Sequence, residues 1–245
     1  AKRSSKITGS KVKQNSNKQG TQAKKQPNST YKEKSLKTVK NGYRQLRIGI
    51  DFGTSFSKVV VGVESGGGFV VIKSPNNKEN CLFPSVLFYH KSSNSYSLFK
   101  KRGYTEISDL KINLIDKLKS AKLSDIYSSE EFKRCAIYLS LLVNQARNYF
   151  EENRSDMRRF HLKWGLTLGF PSAPSKKGFN KCEKVFKKLS EVSILLNETK
   201  PSEYFSQIDL FLKDIPNAKK KALELVDCDW GFIYPEILSQ VVVLN

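Results

Sequence analysis

RIGIDFGTSFSKVVVGV, Arg47 to Val63, is the stretch whose reading decides the fold. Ile48 and Ile50 alternate with Arg47 and Gly49, the period-two pattern of a half-buried strand. Asp51 follows at the carboxyl end of that strand. Phe52, Gly53, Thr54, Ser55, Phe56, Ser57 and Lys58 come next, and a β-branched run closes the stretch at Val63. The spacing predicts a strand, a tight turn and an antiparallel return strand. The turn gathers a carboxylate, a glycine, three hydroxyls and a lysine, which is the inventory a phosphate chain requires. Without a Cβ, Gly53 leaves room for anionic oxygens to approach the backbone, and turn amides form a concave nest for anions. Thr54 and Ser55 add hydroxyl donors, and Lys58 adds a point charge. Asp51 is placed to hold Mg²⁺ through its waters, because that ion dehydrates reluctantly. The same residues also suit a plain hairpin with a polar turn.

Asp51-Phe-Gly-Thr-Ser-Phe-Ser-Lys58 resembles the first phosphate motif of the actin-like ATPase superfamily, and is most similar to that of the 70-kDa heat-shock chaperones and their divergent relatives. Lys58 stands where actins carry a phosphate-binding lysine and the chaperones do not. Asp-Phe-Gly also occurs in protein kinases. A kinase needs a glycine-rich loop, a strand lysine and a His-Arg-Asp loop upstream, and only polar sequence lies upstream here.

Further landmarks follow in the family's order. Leu82-Phe-Pro-Ser-Val-Leu-Phe-Tyr89 resembles the Pro-Ser-Val segment that opens the chaperones' small inserted subdomain. Lys163-Trp-Gly-Leu-Thr-Leu-Gly-Phe-Pro171 resembles the strand that ends in a Val-Pro dipeptide before a helix. Tyr234-Pro-Glu-Ile-Leu-Ser-Gln240 is similar to the Glu-Pro-Glu-Ala-Ala segment of the divergent relatives. There the first glutamate faces the magnesium and the attacking water. Here Tyr234 takes that place, and Glu236 takes the place of the second glutamate. Tyrosine cannot orient water as a carboxylate does, and Glu236 also suits the first turn of a helix by complementing its dipole.

The resemblance implies an α/β chain of the ribonuclease-H-like, actin-like ATPase fold, first lobe only. Residues 47–245 form that lobe, with an inserted subdomain at about 77–125. The implied ligands are ATP or ADP with Mg²⁺, the latter near Asp51. Asp51, Gly53, Thr54, Ser55 and Lys58 are the expected nucleotide-binding residues. Glu236 is an expected catalytic residue, as is Lys111, in the role of the lysine that chaperones project from the inserted subdomain. No Asp- and Gly-rich second phosphate loop follows, so a second lobe or a partner chain is needed to complete the cleft. ATP hydrolysis is expected only with that second lobe, which positions the phosphates and excludes water. A sugar kinase of the same superfamily lacks an identifiable sugar-binding acid here.

Charge divides the chain. Residues 1–47 hold 14 Lys and Arg against one acid, Glu33, which places +13 of the total +20 there. Residues 1–46 have almost no large apolar side chains and are expected to be a disordered basic tail. Such a tail reads as a solubilising segment or as a tether for nucleic acid or an acidic surface. The second functional expectation is therefore a non-catalytic interaction protein with a basic tail. Only Tyr31 and Tyr43 offer base stacking in that segment.

No apolar run approaches the roughly 18 residues of a membrane-spanning helix, and no apolar segment follows the early charges as in a secretory signal. The chain begins with Ala1, which reads as a processed or partial sequence. Cys81, Cys135, Cys182 and Cys228 are too widely spaced for a zinc site and read as reduced, mostly buried thiols of a cytoplasmic protein. His90 and His161 stand alone beside strands and read as structural.

Apolar periodicity predicts helices over 106–123, 129–152, 176–196 and 201–215, with Ser128 and Glu131 as a capping box for the second. A short helix is expected from Asn217 to Val226, a last strand over 230–234, and a helix opened by Pro235. The strands near 47–51, 57–64 and 69–73 are expected to pair antiparallel in order. Those near 163–169 and 230–234 should join in parallel, with helices 129–152 and 176–196 on the faces.

Overall fold

A ten-residue strand, β1 (Tyr43–Phe52), is the axis of the molecule. In the computed structural model it pairs antiparallel with β2 (Phe56–Val63) and in parallel with β8 (His161–Phe170). The structure describes residues 42–64, 66, 68–75, 80–171, 175–197, 202–218, 220 and 232–235, with 176 and 232–235 by backbone alone. The remaining strands are β3 (Phe69–Val71), β4 (Leu82–Pro84), β5 (Leu87–His90), β6 (Ser95–Ser97), β7 (Thr105–Ile107) and β9 (Phe232–Pro235). The helices are α1 (Leu110–Ser120), α2 (Leu123–Tyr127), α3 (Glu130–Asn153), α4 (Lys176–Leu196) and α5 (Tyr204–Lys213). The main sheet runs β3-β2-β1-β8-β9, with β4 paired to the start of β2. The chain is thus mixed α/β, and its first three strands are antiparallel while β1, β8 and β9 run parallel.

Alternation explains which face of the sheet is covered. Leu46, Ile48, Ile50 and Phe52 of β1 are buried, as are Val59, Val61 and Val63 of β2 and Trp164, Leu166, Leu168 and Phe170 of β8. The register aligns these sets on one face: Ile48 lies opposite Val61 and beside Leu166. Phe52 packs on Tyr138 and Trp164 on Phe150, both from α3, while Phe170 packs on Phe186 of α4. Both long helices, expected on the faces of the sheet, therefore cover the same one. The opposite face carries Arg47, Gly49, Asp51, Val60 and Gly62, none of them fully buried, while on β8 it carries the buried Gly165 and Gly169 and the buried hydroxyl of Thr167. At its edge Phe69 and Val71 are exposed.

Several boundaries differ from the sequence reading. The expected tail ran to residue 46, but Tyr43–Leu46 already belong to β1: Tyr43 pairs with His161 and stacks on its ring, and Leu46 is fully buried. The expected helix over 106–123 begins only at Leu110. Thr105–Ile107 is instead a strand paired with Leu87–Tyr89, and Asp109 takes a left-handed φ of 56° that stops helical propagation backwards. β5, β6 and β7 form a separate three-stranded sheet inside the span expected for the inserted subdomain. The cap of α3 is Ser129, whose hydroxyl accepts from the Phe132 amide at 3.2 Å, not Ser128. The register shifts by one because Ser128 still bonds back into α2 through the Ser124 carbonyl. Of the described cysteines Cys135 is buried, while Cys81 and Cys182 are half-buried; all three are free thiols. Residues 1–41, Cys228, the end of the helix expected at Asn217–Val226 and the helix expected after Pro235 lie outside the described residues. No helix among the described residues is long and apolar enough to cross a membrane.

Candidate functional site

The carboxyl ends of β1, β8 and β9 lie side by side. Ile50 is aligned with Leu168, Leu168 with Ile233, and Phe170 with Pro235. Crevices outside the carboxyl ends of parallel strands are the usual ligand positions in open α/β sheets. Here that edge is built from the turn after β1, from Phe170-Pro171, and from the backbone of Tyr234-Pro235.

The turn is as short as the sequence allows. Phe52 opposes Ser57 and Asp51 opposes Lys58, leaving Gly53, Thr54, Ser55 and Phe56 to reverse the chain. Gly53 is required for a reason the sequence did not disclose. A Cβ there would lie 2.1 Å from the carbonyl oxygen of Phe56. The space is filled by the chain itself, so the missing side chain serves closure of the hairpin. Asp51, Thr54, Ser55 and Lys58 are all exposed. Asp51 and Lys58 face each other across the strands on the uncovered side of the sheet, and among the described residues neither has an ion pair. The amides of Thr54 and Ser55 have no acceptor among the described residues. The rim of the turn therefore presents free donors, one carboxylate and one ammonium.

Beneath the rim lies a buried polar floor. Ser85 Oγ donates to the Gly53 carbonyl at 2.8 Å, and the Ser85 amide donates to the Ser55 carbonyl at 2.9 Å. Ser57 Oγ lies 3.0 Å from Ser85 Oγ, and Tyr138 Oη donates to the Pro84 carbonyl at 3.0 Å. Burial pushes the Tyr138 phenol up to about 12, against hydrogen bonds from Ser57 and Ser85 that pull it down. The Pro84-Ser-Val86 segment thus clamps the turn from below; the sequence offers Ser57 as a turn hydroxyl and Ser85 within the Pro-Ser-Val landmark, but neither their contact nor Tyr138. They lie 28 and more residues apart along the chain, so no local pattern joins them.

Lys111 completes the floor. Its side chain is only 4% exposed, and its ammonium donates to the Phe52 carbonyl at 2.5 Å across 59 residues of chain. The ammonium also stands 5.8 Å from the centre of the Phe52 ring. A buried ammonium is costly unless paired. The carbonyl and the ring help to offset that cost and seat the side chain under the turn. Burial, followed by the Glu131 charge, raises the nearby Cys135 thiol far above its ordinary value, while Lys111 lowers it. Cys135 is therefore an inert thiol whose Sγ donates to the Leu110 carbonyl and helps seat α1.

Of the expected site residues, the hairpin holds Asp51, Gly53, Thr54, Ser55 and Lys58 together, and α1 brings Lys111 to them. Glu236 lies outside the described residues. Among the described residues no three His, Cys, Asp or Glu side chains cluster as a metal site. Asp51 as a lone carboxylate still suits Mg²⁺, which keeps most of its waters and takes its other ligands from phosphates. Comparison with models of known protein families, with curated proteins and with solved structures found no match.

Proposed function

We propose that the chain is the first lobe of an actin-like ATPase, ribonuclease-H-like in its main sheet, and that it binds the phosphates of ATP or ADP with Mg²⁺ at residues 51–58. The observation that carries this reading is Lys111, a buried ammonium delivered from α1 to the last carbonyl of β1. A structural hairpin has no need of a buried charge at its turn, whereas a polyanion site gains from one held in low dielectric. Strand order and the shared edge of β1, β8 and β9 support the same reading. In it the Thr54 and Ser55 amides and hydroxyls and the Lys58 ammonium contact phosphate oxygens, and Asp51 accepts hydrogen bonds from the waters of Mg²⁺. The bound metal-nucleotide supplies the anhydride bond. A second lobe or a partner chain closes the cleft, and Glu236 acts from the corner after β9.

Isothermal titration of the chain with ATP, with and without Mg²⁺, tests the proposal. Saturable, Mg²⁺-dependent binding that weakens in Lys58→Ala is expected. Absence of any saturable heat at millimolar nucleotide, with a normally folded chain, would overturn it. That outcome would favour the second reading, an interaction protein, which the +13 charge of residues 1–47 supports.

A further inference from the structure

A second basic feature lies on other elements. An open groove runs between the corner joining α1 to α2 and the first turns of α4. Lys177, Lys181 and Lys184 line one wall, Lys122 faces them, and Ala121 and Leu123 supply apolar floor. The helical spacing of the three α4 lysines, i, i+4 and i+7, puts them in one row, about 10 Å long at 1.5 Å per residue. The row has a fixed centre. Lys181 Nζ donates to the Leu118 and Ala121 carbonyls, satisfying the open end of α1 and holding the two walls together. Lys122, Lys177 and Lys184 are exposed and have no ion pair among the described residues. Their charge is therefore available to a partner.

We propose that this groove docks an acidic segment of a partner protein, with one apolar side chain of that segment seated on Ala121 and Leu123. Charge complementarity requires an anion, and the lining decides its class. Single-stranded nucleic acid is held largely by aromatic stacking, and among the described residues the groove lining has no aromatic residue. Bidentate phosphate recognition favours arginine forks, and among the described residues the cations of the lining are all lysines, with Asn180 beside them. An apolar floor between point charges fits a peptide in which carboxylates flank a leucine or similar residue. This surface is separate from the hairpin and does not depend on nucleotide binding there.

The test uses the full chain and fluorescence anisotropy. The probe is a short labelled peptide of aspartates and glutamates around one leucine, with a labelled oligothymidylate as the nucleic-acid probe. Combined Lys122→Glu, Lys177→Glu and Lys184→Glu substitutions should weaken peptide binding about tenfold or more. Oligothymidylate binding through other basic segments should stay unchanged. The matching Lys→Arg triple should keep peptide affinity, and replacing the probe's leucine by serine should lower it. A neutral Lys→Ala triple repeats the measurement without added repulsion, and thermal melting checks that each variant is folded. Equal peptide binding by wild type, the Lys→Glu triple and the Lys→Ala triple overturns the proposal. So does a parallel loss of oligothymidylate binding, which would mark a general polyanion surface, or indifference to the probe's leucine, which would remove the apolar seat.

Discussion

The rim and the floor of the β1–β2 turn are separated by a few residues and have opposite characters. On the rim, Asp51, Thr54, Ser55 and Lys58 are exposed and make few contacts. In the floor, Phe52, Ser57, Ser85, Tyr138 and Lys111 are buried and hydrogen-bonded or ring-packed to one another. The difference teaches where stability ends and chemistry can begin. Polar groups that already satisfy each other hold the shape, whereas polar groups left open can act on a ligand.

Substitutions can break this division, and the largest effect belongs to the floor. Phe52→Ala removes a fully buried ring, so unfolding free energy should fall by about 3–5 kcal/mol, read by denaturant melting. A small loss would mean that the floor is not part of the core. Gly53→Val forces a branched side chain into the Phe56 carbonyl, and overpacking of this kind should cost about 3 kcal/mol. Its effect should appear in stability as well as in any nucleotide titration, and a variant with unchanged melting but no binding would return Gly53 to the rim.

Lys58→Ala should do the reverse. Nucleotide affinity should fall by roughly 1.5–3 kcal/mol, the range for a hydrogen bond to a charged group, while stability moves by less than about 0.5 kcal/mol. Equal losses in both would erase the rim-floor distinction. Asp51→Asn should leave melting nearly unaltered and reduce the dependence of binding on Mg²⁺, compared by titration with and without the ion.

A separate effect is one of pH. Tyr138 and Tyr96 are both raised to about 12, by burial first in each case. The ordinary phenol titrates near about 10. The folded state therefore keeps these protons where the unfolded chain releases them. Their contribution is fully present below about pH 10 and is lost as pH rises from there toward about 12. Melting followed across that window should show the decline, and Tyr138→Phe should flatten part of it.

What could be read from the sequence follows from the range of each signal. β1, β2, β8, α3 and α4 announce themselves through period-two or helical spacing, which arises within one element. β7 is three residues long, too short for alternation to show, and only its pairing with Leu87–Tyr89 makes it a strand. The shift of the α3 cap from Ser128 to Ser129 turns on which of two adjacent hydroxyls is already bonded to α2. At the site, Asp51 to Lys58 were legible because one turn holds them. Lys111 was reached through resemblance alone, since nothing near it in sequence points toward Phe52. Tyr138 left no trace and Ser85 showed only as part of the Pro-Ser-Val resemblance, because a hydrogen-bond network between distant residues has no period. The contact of Gly53 with the Phe56 carbonyl was not legible, because sequence marks an absent side chain without saying what fills its place.

The outer edge of the main sheet has a colloidal consequence. Among the described residues nothing lies within 4 Å of where a Gly62 Cβ would stand, and the exposed Phe69 and Val71 of the outer strand lie opposite Gly62 and Val60. A flat, apolar strip at a sheet edge is a template for self-association. Against that strip acts mutual repulsion from the net charge of +20. Salt shortens the reach of this repulsion from about 10 Å at 0.1 M to about 3 Å at 1 M. Concentrated salt should therefore drive the chain to oligomers where dilute buffer keeps it dispersed, and Phe69→Lys should shift the salt concentration at which light scattering rises.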